Sequence, residues 1–403
     1  MLTKYFKPAF ALTSWEAGLA IFSMFFGAGN VIFPLLMGRD AGYLTWVGLI
    51  GLMITAVGAP LIGLFGTIMY HGDAGKFFFR VGRLPGLILL GIGLALLGPF
   101  AIMPRCFVVT HAAIQPYFPN LELLPATIMA GIFTMACIYR RDKILAVLGY
   151  VLSPALVISL VLIIGFAMFN PAHHDPMSHV THFQAFMMGF EGGYDTLDLI
   201  CSIFYCAATW ALLKLQQEKA VSQNKSYSIV STCVWASIIS AVLLALIYFG
   251  LALASARHNL LLMDVPREKV LIQLTLETLP AHFAVLANIA VALACLTTAL
   301  GAAVTIADVV CDEVEKSDAF KHIKIPYIGM SFIMVVLSVI MANLGFEGLM
   351  AFIHPIVLAV YPAIIVLTIT NMLYKYKKID ITKPAVFVTI FLTLVIQYQY
   401  LIF

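Results

Sequence analysis

Long apolar stretches alternate with short polar or charged connections along the whole sequence. A helix needs about 20 consecutive apolar residues to cross the hydrocarbon core of a bilayer, and eleven stretches come close to that length. They are 15–37, 43–70, 85–110, 123–139, 144–169, 189–213, 229–255, 283–310, 326–344, 349–374 and 385–403. The pattern predicts an all-α membrane protein with about eleven transmembrane helices.

The composition supports this prediction. Hydrophobic residues make up 62% of the chain and charged residues only 11%, whereas soluble proteins carry about 25% charged residues. The net charge of +3 provides no basic surface for a nucleic acid. Placing the N-terminus in the cytoplasm puts 18 of the 23 Lys and Arg residues on the inner side, so the positive-inside rule predicts that orientation. The seven cysteines lack metal-ligand spacing and are interpreted as small buried hydrophobes.

The first apolar stretch contains residues that disfavour an unbroken helix, namely Gly27, Gly29 and Pro34. Lipid penalises unpaired backbone N–H and C=O groups, so a helix opens at membrane depth only where it lines a protein cavity. Such an opening exposes N–H groups at the start of the second half and C=O groups at the end of the first half. Those groups suit a carboxylate and a cation, respectively. The stretch therefore predicts a transporter site built on a broken first helix.

A second candidate break lies five helices later, at residues 189–198, which contain three glycines and three carboxylates. Paired broken helices in two five-helix halves are typical of inverted-repeat transporters and indicate the binding site. The alternative is that this run is the outer end of helix six, with Asp195 in an aqueous vestibule. We expect a single domain over 1–403, with repeats at about 14–170 and 183–375 and an extra helix at about 384–403.

The eighth stretch contains two adjacent threonines, Thr297 and Thr298, one turn after Ala294. Most membrane threonines donate back to their own helix, and this is the ordinary interpretation. The two hydroxyls and the Ala294 carbonyl also form a set of oxygens suited to a hard cation such as sodium. Carbonyls of Ser23 and Phe26 in the opened first helix would complete that set.

Arg105 lies in the third stretch and has two interpretations. It either forms a gate with Glu191 or Asp195 near the outer vestibule, or extends from the helix end toward the membrane surface. Three aromatic residues are candidates for the wall of a substrate pocket, with ordinary helix packing as the alternative: Phe100, Phe204 and Tyr205.

Two outer connections also leave alternatives open. The loop that begins at Pro171 either binds zinc or is simply solvated. Its four histidines are His173, His174, His179 and His182. The connection 257–282 has apolar residues at helical spacing and forms either an interfacial lid or a packed loop helix.

Six short motifs occur in order along nearly the whole chain. They are FFGAGNVIFP (25–34), GAPLIG (58–63), GPFAIMPR (98–105), GYDTLD (193–198), ACLTTA (294–299) and YP (361–362). The ordered set resembles the branched-chain amino acid:cation symporter family, a branch of the amino acid–polyamine–organocation superfamily. The resemblance implies a five-plus-five inverted-repeat fold of the leucine-transporter type in a bacterial cytoplasmic membrane. It also implies uptake of leucine, isoleucine or valine with sodium.

The resemblance further implies ligand positions in which backbone N–H groups bind the substrate carboxylate and backbone carbonyls its ammonium. The implied substrate-binding residues are Gly27, Ala28, Gly29, Asn30, Gly189, Phe190, Gly192, Gly193 and Tyr194. The implied sodium ligands are Ser23, Phe26, Ala294, Thr297 and Thr298. Asn30 matches a position that binds a second sodium in some relatives, and its alternative role is to cap the second half-helix.

The sequence departs from the family pattern in two respects. Members of the family usually have twelve helices, whereas eleven stretches are found here. In helix six, Gly192 stands where the family has an acid, Glu191 lies beside it, and Asp195 replaces an apolar residue. The extra acid opens the alternative of proton coupling.

Other classes of protein are less compatible with the pattern. A membrane enzyme would need a nucleophile–base pair or a metal cluster, but the polar residues concentrate at helix breaks without His or Cys partners. A channel gives no reason for two site-forming breaks, and a sensor would need an attached cytosolic domain. We therefore expect a transporter whose partners are an apolar amino acid, methionine included as an alternative, and membrane lipid. No cofactor besides the coupling ion and no obligate protein partner is expected.

Overall fold

Every regular element in the described part of the chain is helical. The computed structural model describes residues 14–139, 153–170, 178, 180–221, 229–316 and 326–402. In chain order the helices are α1 (Ser14–Phe25), α2 (Ala28–Ala41), α3 (Thr45–Leu52), α4 (Ala59–Ile68), α5 (Ala74–Phe78), α6 (Arg83–Leu97), α7 (Ile102–Ile114), α8 (Leu123–Tyr139), α9 (Ser153–Phe169), α10 (His182–Asp195), α11 (Asp198–Val221), α12 (Ile229–Arg257), α13 (Asn259–Leu262), α14 (Val270–Thr278), α15 (Ala281–Lys316), α16 (Tyr327–Ala342), α17 (Gly345–Lys377) and α18 (Thr382–Ile402).

Several of these helical runs are long and apolar enough to cross a membrane. In the described residues they are Ala28–Ile68, Arg83–Ile114, Ile229–Arg257, Ala281–Glu315 and Gly345–Lys377. Shorter apolar helices cover Leu123–Tyr139, Pro154–Phe169, Tyr327–Ala342 and Thr382–Gln397. The prediction of an all-α membrane protein is confirmed, whereas the number of crossings, the orientation of the N-terminus and the repeat boundaries stay predictions.

The break in the first helix lies where the glycines predict it. Helix α1 ends at Phe25 and α2 begins at Ala28, so that Phe26 and Gly27 are the non-helical residues between them. Pro34 lies inside α2, seven positions after Gly27. The helix does not stop at this proline, and the glycines alone mark the opening.

The sixth helix is also broken, but not within its glycine run. Helix α10 continues through the glycines to Asp195, and α11 begins at Asp198. The break therefore consists of Thr196 and Leu197. Leu197 has a φ of 64°, a left-handed conformation that is costly for a residue with a branched side chain.

The glycines of α10 instead allow it to pack tightly on the second apolar segment. A Cβ atom on Gly189 would collide with the carbonyl of Gly48 in α3, and one on Gly193 would collide with the Thr55 hydroxyl. Thr55 belongs to a π-helical turn, Met53–Gly58, that joins α3 to α4. The prediction that the glycines themselves open helix six is wrong, because their lack of side chains serves this close contact.

A third interruption, which was not predicted, divides the third apolar segment between α6 and α7. Residues 98–101 form turns rather than helix, and Arg105 is the fourth residue of α7. Helix α7 packs along α15, while α10 packs against α2 and α3, and α12 packs against α1 and α2. These contacts bring the interruptions of the first, third and sixth segments toward one another.

The connection 257–282 forms a packed loop helix. Val270, Leu271 and Leu274 of α14 are buried, whereas Leu276 is 41% exposed. Of the four loop histidines, His182 begins α10, and the other three lie outside the described residues. The cysteines are free thiols, all buried except the partly exposed Cys311.

Candidate functional site

A small cavity lies where the helix breaks meet. It is lined by Phe25, Gly27, Ala28, Gly29, Asn30, Ile102, Arg105, Thr196, Cys201 and Thr298. The two predicted breaks face each other across it, because a Cβ atom on Gly29 would lie 3.2 Å from both Cα and the carbonyl oxygen of Thr196. The first break, the second break and α15 therefore form one site.

The start of α2 lies against this cavity. The N–H of Gly27 donates to Oδ1 of Asn30 at 2.9 Å, so Asn30 caps the half-helix as its alternative role predicted. The following residues, Ala28 and Gly29, line the cavity with no side chain larger than a methyl group. The first N–H groups of a helix have no partner within the helix, and they carry the positive end of its dipole. This end of α2 is consequently suited to an anion.

Asn30 also joins the two breaks through a buried polar cluster. Its Nδ2 donates to Asp198 Oδ1 at 2.7 Å and to the hydroxyl of Tyr248 in α12. Tyr248 in turn donates to Asp198 Oδ2 at 2.6 Å. Asp198 is fully buried, so these donors compensate for the loss of water around its carboxylate. The cluster was not predicted, since its members come from three separate apolar segments.

The start of α11, across the second break, is closed by side chains. The N–H of Leu199 donates to the hydroxyl of Tyr361 in α17 at 2.9 Å. The hydroxyl of Thr196 donates to the carbonyl of Gly193 at 2.9 Å, which ties the break to the end of α10. The second half-helix therefore offers less free backbone than the first.

The oxygens predicted to bind sodium are brought together on the other side of the first break. Thr298 Oγ1 lies 3.2 Å from the Phe26 carbonyl and 3.1 Å from the Ala294 carbonyl. Thr297 Oγ1 lies 2.8 Å from the same Ala294 carbonyl. Ser23 lies one turn before Phe26 on α1. Both hydroxyls donate back to their own helix in this structure. The helical hydrogen bonds and the predicted sodium coordination therefore use the same oxygen atoms.

Arg105 lies in the cavity and not at the membrane surface. Its side chain is 1% exposed, and its Nη1 donates to the main-chain carbonyl of Asp195 at 2.6 Å. The guanidinium carbon also lies 5.7 Å from the centre of the Phe33 ring. The side chain therefore does not extend toward the surface, and its contact with Asp195 is to the backbone, because the interruption before α7 places it at the level of the helix breaks.

The acids predicted to form a gate have other surroundings. The Asp195 carboxylate lies 2.9 Å from Nδ1 of His354 in α17, a contact that the sequence analysis missed. Glu191 is only partly buried and forms no ion pair within the described part of the chain. Among the described residues Arg105 forms no ion pair with these carboxylates and contacts only the backbone of Asp195, so the gate stays a prediction.

The remaining substrate-binding residues predicted for helix six lie inside α10 and do not line the cavity. The Phe190 carbonyl accepts from Thr55 Oγ1 at 2.9 Å, and the Tyr194 ring lies 4.7 Å from that of Tyr361. Gly192 has open space around it, since a Cβ atom at this position would have no neighbouring atom within 4 Å. The predicted role of this run in binding substrate is not supported by its position, because the helix opens only after it.

The aromatic residues proposed as pocket walls do not all lie at the cavity. Tyr205 stacks on Phe25, a cavity residue, with ring centres 6.2 Å apart. Phe204 stacks on Phe78 in α5 at 5.9 Å, and Phe100 packs on Phe352 at 6.1 Å. Phe25, backed by Tyr205, therefore forms the aromatic part of the wall.

A family model for branched-chain amino acid transport proteins matches residues 13–401. The chain belongs to this family. It is similar to the branched-chain amino acid permease BrnQ of Bacillus subtilis (strain 168), with 30% identity over 379 residues that cover 89% of this chain and 81% of that protein. It is also similar to a putative branched-chain amino acid carrier protein of Staphylococcus haemolyticus, with 28% identity over 384 residues that cover 90% and 82%. As a member of this family, the protein is a membrane transporter and not an enzyme.

Solved structures of transporters share the fold. An inward-facing structure of Mhp1 matches with a TM-score of 0.62 at 13% identity, covering 92% of this chain and 80% of that chain. A sodium-coupled sialic acid symporter in a substrate-bound outward-open state matches with a TM-score of 0.61 at 12% identity, covering 97% and 90%. These likenesses confirm the predicted leucine-transporter-like fold with its broken first and sixth helices.

Proposed function

We propose that this transporter takes up leucine, isoleucine and valine together with sodium, by alternating access across a bacterial cytoplasmic membrane. The observation that carries the proposal is the meeting of two broken helices at one cavity, next to a cluster of oxygen atoms. The family membership supports the substrate class. The cavity residues support a mechanism in which backbone groups bind an amino acid.

The coupling ion would bind between α1 and α15. The Phe26 and Ala294 carbonyls and the Thr297 and Thr298 hydroxyls are oxygen ligands, which hard cations prefer. Rotating the two hydroxyl protons away from the carbonyls would free all four oxygens, and the Ser23 carbonyl is one turn away. Sodium bound there would join the opened first helix to α15 and stabilise a single state of the transporter. A ligand shifts a conformational equilibrium only through such differential affinity.

The amino acid would then bind with its carboxylate at the start of α2. Its side chain would pack against Phe25 and Ile102, which supply the apolar part of the cavity. One methylene in an apolar pocket is worth only about 1–3 kcal/mol. Leucine, isoleucine and valine should therefore all be accepted, and methionine should compete with them.

Movement of the broken helices relative to the rest would expose the site to one side at a time. In inverted-repeat transporters, one bundle rocks against the other around a fixed binding site. The cluster of Asn30, Asp198 and Tyr248 supports this mechanism, because it links α2, α11 and α12 into a unit that would move together.

The direct test is uptake of radiolabelled leucine by purified protein in proteoliposomes. We expect accumulation when sodium is present outside and none when potassium replaces it, and dissipating the sodium gradient with an ionophore should release the accumulated leucine. Unlabelled isoleucine and valine should compete. Accumulation that is unaffected by replacing sodium would contradict the proposed coupling ion, and no leucine accumulation under any gradient would contradict the proposed substrate.

The contact between Asp195 and His354 favours one alternative, coupling to protons. A histidine ordinarily titrates near pH 6.5, and this one contacts a buried carboxylate at the end of α10. In the same vesicles, an inward proton gradient without sodium would drive uptake if this alternative held. Uptake driven by sodium at equal pH on both sides would argue against it.

A further inference from the structure

Arg105 is a buried cation in the middle of the molecule. A guanidinium remains charged in proteins because it is a very strong base. Burying a charge without a counter-charge is costly, and charged side chains within membrane segments are functional candidates for this reason. The buried guanidinium of Arg105 therefore needs partners that compensate for its lost hydration.

Two backbone carbonyls hold the guanidinium in place. Nη1 donates to the carbonyl of Asp195 at 2.6 Å, and Nε donates to that of Ala101 at 3.3 Å. Arginine has five N–H donors in a planar fork, so these two bonds leave part of the fork available. Both carbonyls lie next to helix interruptions, which explains how a rigid position is created for the side chain.

No carboxylate of the protein neutralises this charge among the described residues. The carboxylate of Asp195 contacts His354, and that of Asp198 accepts hydrogen bonds from Asn30 and Tyr248. Neither forms an ion pair with Arg105 within 4 Å. The positive charge is thus held by backbone carbonyls, while the carboxylates of Asp195 and Asp198, which interact with it electrostatically, have other hydrogen-bonding partners.

An anionic ligand could reach Arg105 from the cavity. Arg105 lines it together with Ala28 and Gly29 at the start of α2. A helix N-terminus favours an anion through its unpaired N–H groups and its dipole, and arginine binds carboxylates with two parallel hydrogen bonds. Two independent anion-binding features therefore face the same space.

We propose that Arg105 binds the carboxylate of the transported amino acid, opposite the N–H groups of Ala28 and Gly29. This assignment rests on the proposed function and extends it, because it names the charged group that selects α-carboxylates. It also gives a reason for the interruption before α7, which places a long cationic side chain at the depth of the two breaks. Amines and amides with the same apolar side chain would lack the anion that Arg105 requires.

The test measures the binding of leucine and of leucinamide, which keeps the ammonium and side chain but has no carboxylate. Purified full-length parent, R105Q, R105K and R257Q are titrated in detergent by ligand-induced thermal stabilisation. Arg257 provides a matched control, because its Nε likewise donates to a backbone carbonyl, that of Asn170 at 3.3 Å, away from the cavity.

We expect R105Q to weaken leucine binding by about 10- to 100-fold, the range of a charge-assisted hydrogen bond. Its leucinamide affinity should stay within about threefold of the parent, so that the preference for leucine over leucinamide largely disappears. R105K should retain part of that preference, since it keeps the charge but not the planar fork. R257Q should behave as the parent.

Equal weakening of leucine and leucinamide in R105Q would show that Arg105 is needed only for the fold, and would overturn the proposal. An unchanged preference for leucine would overturn it as well. If the parent binds neither compound, the proposed function fails first, and the assignment of Arg105 fails with it. A monodisperse elution profile and a parental melting temperature without ligand show that each variant is folded.

Discussion

The two helix breaks at the cavity differ in how their backbone groups are used. At the first break, Asn30 caps the N–H of Gly27, the backbone of Ala28 interacts with the Cys106 thiol, and Ala28 and Gly29 line the cavity. At the second break, the N–H of Leu199 is bonded to Tyr361, and the carbonyl of Asp195 is bonded to Arg105. The first break is thus open to a ligand, whereas the second is closed by the protein's own side chains.

This difference indicates that the two breaks have different roles. A backbone polar group left unpaired at membrane depth is costly unless it binds a ligand. Unpaired groups are therefore expected at a binding site, and paired groups at a break that only connects two helices. The first break would bind the ligands, and the second would position Arg105 and connect the moving helices. Paired breaks in a transporter therefore need not contribute equally to binding.

The largest expected effect comes from filling the open break. Gly29→Val places a branched side chain where even a Cβ atom lies 3.2 Å from the Thr196 backbone. We expect leucine uptake to fall by roughly 100-fold or more, since overpacking of a tight site costs up to about 3 kcal/mol. The measurement is initial uptake in proteoliposomes at equal protein content.

The matched control for this change is Gly192→Ala in α10. No atom lies within 4 Å of a Cβ placed at Gly192, and alanine is favoured over glycine in a helix by about 1 kcal/mol. Uptake should stay within about twofold of the parent. A severe loss in Gly192→Ala with normal uptake in Gly29→Val would contradict the assignment of the ligand to the first break.

An intermediate effect is expected from Thr298→Ala at the carbonyl end of the first break. Removing the hydroxyl takes away one proposed sodium ligand, so the sodium concentration for half-maximal uptake should rise by about tenfold or more, equivalent to about 1.4 kcal/mol. Insertion into the membrane should be unchanged. Sodium titrations of leucine uptake measure this.

Thr134→Ala is the control for that substitution, because Thr134 Oγ1 donates to the Ala130 carbonyl at 2.8 Å in an ordinary back-bond. It should leave the sodium dependence as it is in the parent. Equal sodium affinity in Thr298→Ala and the parent would remove the proposed ion site.

The first break was predictable from the sequence, but the second was only approximately so. Near Gly27, two glycines two residues apart disfavour the helix, and they also allow close packing, since a Cβ atom on Gly27 would lie 2.9 Å from Thr298 and one on Gly29 3.2 Å from Thr196. In α10, by contrast, Gly189 and Gly193 are needed for contact with α3 and the π-helical turn after it. Closely packed glycines therefore accompany an opening in one helix and an unbroken helical run in the other.

Long-range partners could not be predicted from a single sequence. Asn30 and Asp198 are 168 residues apart, and Asp195 and His354 are 159 residues apart. Each residue alone is an ordinary polar side chain in an apolar segment, and only the fold brings them into contact. The position of Arg105 was not predicted for a related reason, since the turns at 98–101 interrupt the third segment just before it.

The smallest effect on binding is expected at the closed break. Tyr361→Phe removes the hydroxyl that accepts from the N–H of Leu199 and leaves that buried N–H without a partner, at a cost of about 1–3 kcal/mol in stability. The melting temperature should fall, while leucine affinity should stay within about threefold of the parent. Tyr376→Phe on the same helix, at an 82% exposed position, should leave both unchanged. A large loss of leucine affinity in Tyr361→Phe without a loss of stability would mean that the second break binds the substrate directly, and the contrast between an open and a closed break would then be wrong.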